Sequence, residues 1–128
     1  MKTFQGGYAG KYLRIDLSQR RIEVEKLDEE VARKYWGGRG WGAYLLLKEL
    51  KGGTDPFSPE NKVLFLTGPL QGTLTPYAPK FVVITKSALS GTFTRAVSGG
   101  QWGPELKFAG YDGVVVEGVS SKPVYIFI

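Results

Sequence analysis

Residues 94–110 read TRAVSGGQWGPELKFAG, and how this stretch resolves decides the fold. With the residues before it, GTFTRAV has strand character, SGG offers a turn without side-chain bulk, and PELKFAG has the composition of a short helix. Pro104 sits near the first helical turn and Gly110 just past the last, the asymmetry that helices favour. The Pro104 ring also clashes with a helical carbonyl at Gly100. The helix therefore starts near Gly103, or the segment from Gly99 to Gly103 is irregular and leaves more N–H groups free. Ser98 is the candidate N-cap, or a donor to a phosphate oxygen. Free N–H groups at a helix start beside glycines form an anion cradle, and a bare strand–turn–helix connection explains the same residues without a ligand. Local chemistry favours the bare connection. Lys80, Lys86 and Arg95 place positive charge nearby in sequence.

On either side of this stretch lie short apolar runs. KVLFLTGPL, KFVVITK, GTFT, DGVVVEG and PVYIFI read as strands, being too short for typical helices and rich in β-branched and aromatic residues. Near the start, YLRIDL and RIEVEKL alternate apolar and polar positions around the linker SQR, so the first 27 residues are expected to form an antiparallel hairpin. Asp28 opens DEEVARKYW with acids first and bases last, the order a helix dipole favours. The glycines at 37–42 then interrupt, AYLLLKEL resumes a helix and KGG stops it. These elements predict an α+β, β-rich domain of antiparallel and mixed sheets with two or three short helices, with residues 1–128 as a single domain.

Composition narrows the chemistry. There is no cysteine and no histidine, which excludes disulfides, cysteine-ligated iron–sulfur clusters, Cys/His zinc sites and any histidine base from this chain. Asp16, Asp28 and Asp112 show no motif that pairs them across a substrate, so no catalytic residue is assigned. Seventeen basic residues against 12 acidic ones give a net charge of +5, compatible with an anionic ligand or with a solvated basic surface. No run of apolar residues is long enough for a membrane span and the N-terminus lacks a signal peptide's apolar centre, so a cytoplasmic location without a membrane partner is expected. GGRGWGA matches the G-x-G-x-x-A spacing through Gly38, Gly40 and Ala43, but a helix precedes it where a dinucleotide fingerprint needs a strand. A helix–helix junction is the better reading, with Arg39 solvated.

Several runs together resemble the N-terminal domain of the tungsten-containing aldehyde ferredoxin oxidoreductase family: GRGWGAYLLLKEL, DPFSPENKVLFLTGPLQGT, VVITKSALSG and SGGQWGPELKFAGYDGVVVEG. They cover nearly the whole chain, in order. The resemblance implies a domain of two β-sheets that forms a base for a tungstopterin or molybdopterin cofactor. It further implies oxidation of aldehydes to carboxylic acids, with electrons passing through a 4Fe-4S cluster to ferredoxin. Residues matching the family's pterin-contacting segment are Ala96, Val97, Ser98, Gly99, Gly100 and Gln101. The backbone carbonyl of Val97 matches a ligand of the magnesium ion that bridges the pterin phosphates. Asn stands there in the family's pattern, so any amide side-chain contact is lost while the carbonyl remains. Lys80 matches a basic residue, often Arg, between pterin and cluster, keeping the charge without the bidentate fork.

The family's enzymes are several times longer, and their cluster cysteines and acid–base residues lie in regions this chain lacks. The chain alone is therefore expected to be inactive, the first part of a pterin-binding domain that self-associates or joins the remaining domains or a partner subunit. PVYIFI, ending at Ile128 without a polar tail, is expected to be a strand that docks elsewhere. A cofactor-free structural or assembly domain of the same fold is the nearest alternative. A basic single-stranded nucleic-acid module using Trp36, Trp41 and Trp102 is the other, although core packing explains the tryptophans more simply and no nucleic-acid partner is expected.

Overall fold

The computed structural model describes residues 6–128; residues 1–5, part of the stretch read for a leader and for the first hairpin, lie outside the described residues. The elements in chain order are β1 (Lys11–Asp16), β2 (Arg21–Lys26), α1 (Glu29–Tyr35), α2 (Gly38–Glu49), β3 (Lys62–Leu66), β4 (Phe81–Lys86), β5 (Phe93–Ser98), α3 (Trp102–Phe108) and β6 (Gly113–Glu117). One six-stranded sheet runs β2-β1-β6-β3-β4-β5. Its pairs are antiparallel except β1 with β6. The α+β reading with a mixed sheet holds. The described residues build one sheet where the resemblance implies two for a whole domain.

The alternation in the first hairpin places Leu13 opposite Val24 and Ile15 opposite Ile22. Leu13 and Ile15 are buried, whereas Ile22 and Val24 are 65% and 57% exposed, because β2 is the outermost strand of the sheet. Asp28 caps α1, accepting from the N–H groups of Glu30 at 2.8 Å and Val31 at 3.2 Å. Trp36 ends that helix in the left-handed region at φ 58°.

The helix–helix junction holds, with α1 and α2 parting at Trp36 and Gly37, where Gly37 has φ +70°, but the glycine break is shorter than expected. α2 begins at Gly38 and carries the remaining glycines inside it. The reason is tertiary: a Cβ on Gly42 would lie 2.3 Å from Ile84 Cδ1 and 2.9 Å from Leu66 Cδ1, so the bare α-carbon lets α2 settle onto β3 and β4. Trp41, Leu45 and Leu46 of α2 then close over Leu64, Leu66, Ile84 and Val115, with Tyr12 edge-on to Trp41 at 5.1 Å between centroids. Each of these aliphatic side chains contributes about 1.5–3 kcal/mol by burial. The second face is thinner, with Leu106 of α3 over Leu13, Ile15 and Val114.

Residues 123–128 are not the strand expected. They pair with nothing among the described residues, and Tyr125 and Phe127 are 88% and 91% exposed. A β-branched, aromatic sequence supplies strand propensity, but a strand also needs a neighbour's backbone groups.

At the sheet end away from β4's start, Arg14 bridges Glu25 at 2.5 Å, Glu49 at 2.8 Å and Glu117 at 3.3 Å, and Lys62 joins Glu49 and Glu117. Burial opposes ionisation of Glu25, but hydrogen bonds from Arg14 and from the Tyr12 hydroxyl outweigh it and hold the carboxyl below its ordinary value. Burial and the bond to Glu25 push Tyr12 up to about 12. A depressed carboxylate stabilises the fold above its unfolded value of 4.5 and loses that contribution as the pH falls through the lower folded value. The apparent melting temperature is therefore expected to drop as the pH falls below about 4.5, and Glu25→Gln to flatten that drop, as followed by circular dichroism.

Candidate functional site

β3 ends, β4 begins and β5 ends at one edge of the sheet, and α2 starts over the same place, with Gly38 N–H donating to the Thr67 carbonyl at 2.9 Å. Register settles what meets there. The β4–β5 ladder closes with Phe81 opposite Ser98, so Lys80 and Gly99 leave it side by side. Lys80 and Ala96 to Gln101, far apart in sequence, thus lie together. Both Lys80 and Ser98 to Gln101 are exposed.

The phase of the hydrogen bonds fixes where the Val97 carbonyl points. Ser87 N–H donates to the Thr92 carbonyl at 2.7 Å, and hydrogen-bonded pairs recur at every second position of an antiparallel ladder. Counting along the register, Thr85–Thr94, Val83–Ala96 and Phe81–Ser98 are bonded pairs, whereas Val82–Val97 is not. The N–H and C=O of Val97 therefore point away from β4. β5 is the outermost strand, so they face its open edge. The Val97 side chain lies on the α2 face of the sheet, 45% exposed, and Arg95, two positions away, shares that face.

The glycines of this stretch fall into two kinds. A Cβ on Gly99 or Gly100 would meet nothing within 4 Å, and Gly100 has φ +90°, a conformation side-chain-bearing residues avoid. A Cβ on Gly103 would stand 2.0 Å from the Nε2 of Gln71. Gly99 and Gly100 are thus open to approach from outside, and Gly103 is filled from within.

Several expectations change here. Ser98 does not cap α3: the cap position is Gln101, without a side-chain bond, and Ser98 Oγ reaches only the Gly99 carbonyl at 3.4 Å. The chain turns through Gly99 and Gly100 before α3 begins, which carries Ser98 too far from the first turn. Lys86 is not beside the glycines but at the far end of β4, donating to the Thr54 carbonyl at 2.5 Å. The three tryptophans form no common platform. Trp41 is 2% exposed in the core, Trp36 stands at the end of α1, and Trp102 packs on Phe81 at 4.5 Å on the α3 face.

Gln71 is the functional candidate that sequence reasoning missed. It is 4% exposed, its Oε1 accepts from Gly68 N–H at 3.1 Å, and its Nε2 donates to the Pro79 carbonyl at 3.0 Å. A lone glutamine in a loop gives no sequence signal, because its partners are backbone groups. Beside it, a cleft of about 410 Å³ is lined by Trp36, Pro69, Tyr77 and Lys80.

Among the described residues no three acidic side chains gather to hold a metal ion, and no helix is long and apolar enough to cross a membrane. A metal ion at this edge would take oxygen from the backbone and from its own ligand. The open Val97 carbonyl, the unobstructed N–H-bearing glycine turn and the exposed Lys80 ammonium are together suited to a phosphate with a hard cation.

A family model for the N-terminal domain of aldehyde ferredoxin oxidoreductase matches residues 12–128. The chain belongs to this family. Over 122 residues it is 54% identical to the tungsten-containing aldehyde ferredoxin oxidoreductase of Pyrococcus horikoshii, covering 95% of this chain and 20% of that protein. The WOR-like subunit of the aliphatic sulfonate oxidoreductase of Pyrococcus furiosus is 42% identical over 126 residues, covering 94% of this chain and 20% of that subunit. A solved structure of the active-site complex BamBC of benzoyl coenzyme A reductase, with 1,5-dienoyl-CoA, superposes with a TM-score of 0.89 at 34% identity, over 91% of this chain and 18% of that one. The chain therefore spans about a fifth of the length of these relatives.

Proposed function

We propose that this chain is the portion of a tungsten-dependent oxidoreductase that holds one phosphate of the pterin cofactor, through Lys80 and Ala96 to Gln101. The observation that carries this reading is the Val97 carbonyl, turned out at an open sheet edge beside two unobstructed glycines and a lysine. Gly99 and Gly100 let phosphate oxygens approach backbone N–H groups, and Lys80 adds charge without fixing orientation, as an ammonium does. Val97 contributes one carbonyl oxygen to the magnesium ion. The Val97 side chain plays no part in that, so its difference from Asn costs only an amide contact. When bound, the cofactor supplies the metal-centred redox chemistry that oxidises an aldehyde to a carboxylic acid; this chain's residues bind and orient it and provide no acid, base or nucleophile.

The complete enzyme is then a cytoplasmic oxidoreductase whose remaining domains or subunits carry the 4Fe-4S cluster and pass electrons to ferredoxin, with this chain assembled against them or against a second copy. Relatives named for aldehydes, for aliphatic sulfonates and for benzoyl coenzyme A share this domain, which argues that it serves the cofactor and that other regions select the substrate. The test is expression of the full-length polypeptide carrying this chain with tungstate or molybdate, followed by metal analysis and pterin fluorescence. Tungsten and pterin are expected to co-purify. A folded protein without pterin would instead identify a cofactor-free assembly domain.

A further inference from the structure

We propose that Gln71 is the positioning residue of this site, setting Lys80 against the turn from Ser98 to Gln101; the inference rests on the reading that these residues hold a pterin phosphate. Three separate segments meet at its one amide. Gly68 N–H, in the turn after β3, donates to Oε1 at 3.1 Å. The Pro79 carbonyl, one residue before Lys80, accepts from Nε2 at 3.0 Å. The bare α-carbon of Gly103, two residues after Gln101, rests on the same amide so closely that a Cβ would fall 2.0 Å from Nε2.

Only an amide of this length fits. The site needs an acceptor for Gly68 and a donor for Pro79 on one buried side chain. A glutamate keeps the acceptor and loses the donor, a methionine fills the space and loses both, and serine or threonine is too short to span the two. Burial gives the bonds weight on the glutamine's side: Gln71 is 4% exposed, so its own amide has little water to turn to when a partner is lost. Gln71 touches neither Lys80 nor Ser98 to Gln101 by any hydrogen bond, so it acts through the backbone on either side of them. It also explains Gly103, which is bare for Gln71 and not for the ligand.

The test is a double-mutant cycle in the full-length, tungstate-grown polypeptide that carries this chain, reading the half-time of pterin loss on dialysis. Gln71→Glu is expected to shorten the half-time about three- to tenfold, and Gln71→Met at least as much. In a Lys80→Gln background the same change is expected to cost less than about twofold, because the group being positioned is gone. Should Gln71→Met fail to fold, Gln71→Glu carries the test alone, since it is isosteric and keeps the Gly68 bond. The inference is overturned if Gln71→Glu costs the same factor in both backgrounds, which marks a purely structural amide. It is likewise overturned if Gln71 variants hold pterin like the parent while Lys80→Gln loses it. If Lys80→Gln and Gly100→Val both retain pterin like the parent, the site reading itself is wrong and this inference falls with it.

Discussion

Asp112→Ala is expected to destabilise the protein by about 3–5 kcal/mol, the cost of breaking a buried ion pair from one side. Asp112 is 1% exposed and every oxygen it has is used. Oδ1 accepts from Ala9 N–H at 2.9 Å and from the Lys107 ammonium, and Oδ2 accepts from Gly10 N–H at 2.7 Å. Its backbone carbonyl takes both the N–H and the hydroxyl of Thr67, at 3.0 and 2.7 Å. Removing the carboxylate leaves the Lys107 ammonium in a site where its side chain is only 8% exposed, with the Gly7 carbonyl and the face of the Tyr8 ring as its remaining contacts among the described residues, and orphans two N–H groups. Urea denaturation checks this: the midpoint should fall by about 2 M at a slope of about 2 kcal/mol/M. The double variant Lys107→Met/Asp112→Asn should recover much of the loss, because it removes the stranded charge. The pair ties residues 7–10 to α3, whereas the bonds from Thr67 go to the Asp112 backbone and survive the substitution.

Gly100→Val is expected to give the largest loss of cofactor among single substitutions. At φ +90° a valine is strained by about 1–3 kcal/mol, and its branches occupy the open space through which the proposed phosphate would reach the backbone. Pterin retained after dialysis should fall at least about tenfold, the equivalent of 1.4 kcal/mol. Gly53→Val separates strain from blocking. Gly53 also has a positive φ, +82°, and also meets nothing within 4 Å, but it lies in the loop after α2, away from the site. The two variants should lose similar stability, and only Gly100→Val should lose pterin. Equal pterin content in both would remove the turn from the cofactor site.

Where local chemistry decided the outcome, the sequence was legible. Asp28 announces α1 because a cap needs only the next three residues, and Pro104 places α3 because its ring excludes an earlier start. Leu13, Ile15, Ile22 and Val24 announce a hairpin, yet only β1 is buried, since alternation gives a strand's faces and not its place in the sheet. What stayed hidden depends on distant partners. Gly42 looks like a helix breaker until Ile84 and Leu66 are seen pressing on it. Lys107 and Asp112 are five apart, a spacing no helix rule pairs, and they meet because the chain turns at Gly110. At the candidate site, the sequence runs point to Lys80 and Ala96 to Gln101 through family resemblance. Their juxtaposition, the outward Val97 carbonyl and the brace at Gln71 follow from strand register and loop packing, which no local pattern encodes.

The most direct measurement is a crystal structure of the tungstate-grown full-length enzyme, with magnesium at the β5 edge identified by its ligand distances. The account predicts magnesium about 2.0–2.1 Å from the Val97 carbonyl oxygen, a pterin phosphate against Gly99 and Gly100, and Lys80 within reach of the same cofactor. A cofactor seated elsewhere, with the Val97 carbonyl bonded to a neighbouring strand, would contradict it.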